Sequence, residues 1–250
     1  MLISPLARRS FLRYSGAGLA LGSLWLTGCS DDDDDVDPNS GFIDVGSGDT
    51  GILNYAYALE QLEAAFYTQV VASFYTGATA AEQAVLRDLK DHEISHREFF
   101  KRAITSGRIS DSLQPDFSNI DFTQRTSAAG STKLGVLNAA MAFEDLGVAA
   151  YNGAGRFITN NDYLTLAGKI VSVEARHAAL IREMLKTNSF VANDVVNLDT
   201  SSPNNLNGSP AVTGNLNGTG MERSKRPAAV LTTANTFLAN GSKLSATQYS

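Results

Sequence analysis

"HEISH", His92 to His96, admits two readings with different folds behind them. As H-E-x-x-H on one helix, it would set two imidazoles on a zinc ion with Glu93 as the base of a peptidase. As E-I-S-H alone, it is one quarter of a site assembled from several helices, since residues three apart share a helix face. The rest of the chain decides between them.

A zinc peptidase needs a third ligand, from a G-x-x-H extension or from a glutamate on a later helix. "REFFKR", residues 97–102, supplies neither glycine nor histidine, and the next glutamate past that helix is Glu144. Nothing reads as the sheet that would align a peptide. The duplication of the segment settles the matter. "LNYAYALEQLEAAFY" (53–67) lies over "LNAAMAFEDLGVAAY" (137–151) with eight identities in fifteen positions and no gap, pairing Glu60 with Glu144 and Tyr67 with Tyr151. Downstream, "EISH" (93–96) falls opposite "EARH" (174–177), and the position of His92 is filled by Val173. What repeats is E-x-x-H, not H-E-x-x-H.

Helical periodicity runs almost throughout from Ile52. Helices are expected over about 52–74, 80–105, 132–158 and 162–187. Thr79 and Glu82 form a capping box for the second, and Asn160 or Asn161 caps the fourth. The first and third joints are short and force antiparallel hairpins, whereas 106–131 is a long Ser/Asp/Gly-rich connection. The expected fold is all-α: a four-helix bundle of two related antiparallel hairpins joined by one crossover. Its domain spans 49–190. Residues 191–250 read as Asn/Gly-rich loops, with "NLNG" at 205–208 and 215–218, and a short helix in "RPAAVLTTANTFLANG" bounded by Pro227 and Gly241.

Glu60, Glu93, His96, Glu144, Glu174 and His177 then fall near mid-helix, one carboxylate per helix, at one level of the core. Four buried carboxylates cannot stay ionised unaided. Two divalent cations would neutralise them, and oxygen-rich ligation with two imidazoles suits iron or manganese. Two of the three histidines have a glutamate three places before them, in apolar surroundings such as "HAALI" that do not suit a surface. Glu63 competes with Glu60, but its repeat counterpart is Gly147, so Glu60 is preferred. His92 has no counterpart and reads as a neighbour of the site or a surface residue. Asp88, Asp91 and Glu98 read as a solvated face.

This pattern resembles the ferritin-like di-metal carboxylate family, and "ALEQLEAAFY" is especially similar to its desiccation-related members. The resemblance covers about residues 50–190. It implies that Glu93 and Glu174 bridge two metals, with Glu60 and His96 completing one and Glu144 and His177 the other. Iron is favoured over manganese. Tyr67 and Tyr151 would stand behind the ligands or simply pack. The chemistry implied is redox, oxidising Fe(II) with O2 or peroxide; manganese catalase and a non-catalytic desiccation or stress protein are the alternatives.

The first 28 residues resemble an export signal. Arg8-Arg9 with Phe11-Leu12 resembles the twin-arginine route, and "LTGC" ending at Cys29 resembles a lipobox whose cysteine becomes lipidated. "SDDDDDVDPNSG" and the residues to 48 read as a solvated acidic tether, since adjacent like charges repel. A lipid-anchored protein of the cell envelope is expected, with the membrane as partner and oligomerisation left open. Net charge −6 and a pI near 5.1 argue against nucleic acid. The single cysteine excludes a disulfide framework or a cysteine-built metal cluster within one chain.

Overall fold

The computed structural model describes residues 41–192, 194–196 and 221–249. Arg8, Arg9, Cys29, the acidic run Asp31–Asp35 and both NLNG segments lie outside the described residues. Four long helices make the bundle: α1 (Gly48–Ala72), α2 (Ala80–Ala103), α3 (Val136–Ala154) and α4 (Asn161–Leu185). α1 packs along α2 and α3 along α4, and the hairpins meet through α1 and α3. This is the all-α arrangement expected, with the long crossover between α2 and α3.

The caps follow the sequence. Thr79 accepts from the Glu82 N–H while Glu82 accepts from the Thr79 N–H, and Asn160 accepts from the N–H groups of Asp162 and Tyr163. Two boundaries differ from expectation. α1 begins at Gly48, ahead of Asp49-Thr50, because the Asp49 carboxylate is used elsewhere: it accepts from Thr159 and Asn160 at the joint before α4. α3 begins at Val136 rather than near 132, because Leu134–Gly135 (β3) pairs in parallel with Ile120–Asp121 (β2) of the crossover. α3 ends at Ala154 and tightens into a 3-10 turn over Gly155–Phe157.

Burial divides the helices into two kinds. α2 buries Leu86, Leu89, Glu93 and Phe100, a stripe one face wide. α4 does the same with Ile170, Glu174, His177, Ala178 and Ile181. α1 and α3 are apolar nearly all round and are buried nearly all round. Their outer faces therefore need a cover, and the long connections provide it. Asn54 on α1 donates to the carbonyls of Val45 and Gly107 and accepts from the Ile109 N–H. Its repeat counterpart Asn138 on α3 accepts from the Ser127 N–H, so each copy holds one end of the crossover.

The chain ends complete the cover. Residues 43–47, expected to close the tether, are instead folded onto the bundle: Ile43–Asp44 (β1) pairs in parallel with Leu244–Ser245 (β4), and Val45 is fully buried. Apolar side chains at 42, 43 and 45 gain more from burial than the polar tether ahead of them can. A fifth helix, α5 (Pro227–Ala234), starts with proline at its first turn as expected, and Val230, Leu231 and Ala234 join the core. The backbone before it runs so close to α3 that a Cβ at Gly153 would lie 1.7 Å from the Lys225 carbonyl oxygen. Only glycine fits there.

Candidate metal centre

Each long helix delivers one carboxylate to the same level of the core, and Glu60, Glu93, Glu144 and Glu174 are all fully buried. One turn after Glu93, His96 Nδ1 lies 2.9 Å from Glu174, 3.3 Å from Glu93 and 3.5 Å from Glu60. One turn after Glu174, His177 Nδ1 lies 2.8 Å from Glu93, 3.4 Å from Glu144 and 3.9 Å from Glu174. Two ligand sets result, each with its donor atoms within 4.8 Å of one another: Glu60, Glu93, His96, Glu174 and Glu93, Glu144, Glu174, His177. Glu93 and Glu174 belong to both. All six residues singled out in the sequence are brought together, in two groups that share the two E-x-x-H carboxylates.

The donor set suits two cations. Buried polar atoms are ordinarily hydrogen-bonded. Here Glu60 Oε2, Glu93 Oε1, Glu144 Oε2, both oxygens of Glu174 and His177 Nδ1 have no hydrogen-bond partner among the described residues, although they crowd within ion-pair distance. Their lone pairs converge without the alignment that hydrogen bonding requires. The electrostatics without metal report the same strain. Burial pushes Glu60 up to about 7, against the nearby imidazole of His96. Burial and then the charge of Glu93 push Glu174 well up, and burial raises Glu144. Burial opposes ionisation of Glu93 too, yet His177 and His96 outweigh it and hold Glu93 near 2. Burial disfavours the charged imidazoles, but surrounding carboxylates raise His96 to about 12 and His177 to about 10. Protonated imidazoles thus stand in for cationic charge that the four carboxylates demand.

The family comparison agrees with this geometry: the ferritin-like domain matches residues 48–187, more than half of the chain. The chain belongs to the ferritin-like family. No curated protein matches the sequence. The ferritin-like domain so delimited runs from the first residue of α1 to just beyond α4 and contains all six residues of the cluster.

Around the ligand sets of this ferritin-like domain, two tyrosines cross between the hairpins. The Tyr67 hydroxyl on α1 donates to Glu144 Oε1 at 2.5 Å, and the Tyr151 hydroxyl on α3 donates to Glu60 Oε1. Both tyrosines are buried, and the duplication explains the reciprocity: each copy's tyrosine orients the other copy's glutamate.

His92 is not a ligand-set member, as expected, but neither is it idle. Its Nδ1 lies 2.8 Å from His177 Nε2 and the rings stack, with centroids 5.1 Å apart. The contact faces away from Nδ1 of His177, so it acts on that imidazole from behind. Because Val173 replaces His92 in the second copy, His96 has no matching imidazole. Sequence periodicity places His92 one turn before His96 but gives no signal that it reaches across to α4. The α2–α4 side is also where the cluster approaches solvent: His96 retains 13% side-chain exposure and His92 is exposed, while the α1 and α3 glutamates are sealed. Asp88 and Asp91 are exposed, and Glu98 pairs with Arg97.

Proposed function

We propose that this ferritin-like protein is exported, anchored to the cell envelope by a lipid on Cys29, and uses a two-metal carboxylate site to oxidise Fe(II) or consume peroxide or O2. The observation that carries the reading is the pair of buried ligand sets sharing Glu93 and Glu174. Oxygen-rich ligation with one imidazole per position favours iron, then manganese. Bound there, the metals would supply electrons and polarise an oxygen species.

The chain's own residues do the rest. Glu60 and His96 would hold one ion, Glu144 and His177 the other, and Glu93 and Glu174 both. Tyr67 and Tyr151 fix the two terminal glutamates, so their rotamers are set before any ion arrives. The sealed α1–α3 side excludes water, and the His92–His96 edge gives a small oxygen species its shortest approach. With a single cysteine the chain has no cysteine-built partner cluster of its own, so electrons come from Fe(II) as substrate, from peroxide or from another protein.

The experiment is turnover by the full chain loaded with iron or with manganese, given peroxide or O2 with and without Fe(II) as substrate. Peroxide- or O2-dependent Fe(II) oxidation supports the reading. Oxygen evolution from peroxide by the manganese form alone would make it a catalase. Tight metal binding without turnover would make the metals structural.

A further inference from the structure

An apolar cavity lies beside one half of the centre. It encloses about 500 Å3, counted out to its mouth, and reaches inward to Tyr151, whose hydroxyl donates to Glu60. Ala56 on its wall is one turn before Glu60, and Phe99 and Phe100 are one turn beyond His96, so the cavity adjoins the Glu60–His96 position. Three tyrosines apart, its lining is alanine, leucine, isoleucine and phenylalanine, with no charged side chain. Half-buried lining residues, Ala103 at the end of α2 with Tyr163 and Ala167 near the start of α4, mark its mouth.

The duplication shows that this space belongs to one half of the centre. Leu59 and Ala150 line it, and their repeat counterparts beside Tyr67 are Phe143 and Phe66. Those two rings pack with centroids 4.9 Å apart, and Phe237, just after α5, lies 4.6 Å from Phe143. Phe117 and Phe122 of the crossover each lie 6.0 Å from Phe66. An unfilled space in a core lowers stability, and the chain carries the filling residues in its other copy. Smaller side chains at 59 and 150 keep the Tyr151 side open.

We infer that the cavity is a dioxygen site serving the Glu60–His96 position, which makes O2 rather than peroxide the oxidant; this rests on the two-metal reading above. A dry apolar cavity takes up small apolar molecules such as xenon or benzene, and O2 is of that kind. Peroxide carries two O–H groups, and apolar walls do not repay the hydrogen bonds it leaves in water. Peroxide and Fe(II) are left the polar edge at His92 and His96. The two halves are thus alike in their ligands and unlike in their access to a gas.

The probe is xenon, inert and apolar, followed by NMR on the full-length chain and located in xenon-pressurised crystals. Wild type is expected to hold xenon against Ala150 and Tyr151. Ala150→Phe installs the residue of the other copy and should abolish that binding, while Mn(II) still loads two ions per chain. Ala167→Phe narrows the mouth at a half-buried position, so it tests the same passage should Ala150→Phe fail to fold. In the iron-loaded chain either variant should raise the KM for O2 several-fold in Fe(II) oxidation and leave the KM for peroxide unchanged. A wild-type cavity without xenon, or an O2 KM unmoved in both variants, overturns the inference and leaves the two-metal site standing. A wild type that binds no Mn(II) overturns the two-metal reading, and the role for O2 with it.

Discussion

The Tyr67 hydroxyl and the Glu144 carboxylate meet at 2.5 Å across the seam between the two hairpins, and Tyr151 and Glu60 repeat the contact in reverse. A duplicated hairpin that exchanges such contacts makes each half of the site depend on the other. Tyr67→Phe and Tyr151→Phe should therefore have similar effects. Each removes a buried hydrogen bond to a charged acceptor and frees a ligand carboxylate to turn, with an expected loss of roughly 10-fold in metal affinity. Competition titration with Mn(II) measures it. An effect confined to one of the two would break the symmetry argument.

The charge balance of the centre predicts opposite pH responses with and without metal. Without metal, Glu60 titrates near 7 in the fold against an ordinary 4.5, so the folded state holds more protons than the unfolded one. Stability then falls as pH rises through that window, by about 3 kcal/mol from Glu60 alone. His96 and His177, raised to about 12 and about 10, contribute stability complete below their ordinary 6.5 and lost as pH rises toward those values. Glu93, held near 2, acts the other way, its contribution disappearing only as pH drops from 4.5 toward 2. The metal-free chain should thus melt highest near pH 5 and lower at pH 8. Bound Mn(II) replaces the protons, so the stabilisation by metal should widen over the same range. A metal-free melting temperature that climbs from pH 5 to 8 would contradict the assignment.

The fold and the clustering of the six Glu and His residues were both legible in the duplication, because Glu and His spaced for one helix face recur in both hairpins. Three features were not. The reach of His92 to His177 depends on how α2 and α4 pack, which the spacing within one helix does not encode. The fit of buried Glu63 against α3 hides in Gly147: a glycine opposite a glutamate in the repeat says nothing of packing, whereas a Cβ there would lie 3.1 Å from Glu63 Oε1. The docking of residues 43–47 onto β4 joins segments some 200 positions apart, with only two residues in each strand to signal it.

Gly153 offers a test of the cover. Gly153→Ala puts a methyl group onto the Lys225 carbonyl, and the backbone segment that leads into α5 must move. The expected cost is about 1–3 kcal/mol, as for other overpacked sites. Limited proteolysis should show cleavage between 221 and 227 rising well before the bundle itself unfolds. Equal protection in wild type and variant would mean that α3 does not depend on this contact.

The proposed anchor is tested independently of the metals. Cys29→Ser should release the chain from the membrane fraction and leave its signal uncleaved, each lost acyl CH2 having contributed about 0.8 kcal/mol to anchoring. Replacing Arg8 and Arg9 by lysine should strand the precursor in the cytoplasm. Normal processing and membrane association in both variants would remove export and lipidation from the account.

The central claim is that two equivalent E-x-x-H halves hold two metals, and the most direct measurement is Mn(II) bound per folded chain in Glu93→Ala, Glu174→Ala and His92→Ala. Glu93→Ala and Glu174→Ala should lose metal to the same extent, since each removes a carboxylate common to both ligand sets. His92→Ala should keep two metals per chain, bound up to about 10-fold more weakly on the His177 side. An empty site in His92→Ala beside a full one in Glu174→Ala would contradict the two-metal account and restore a single H-E-x-x-H centre.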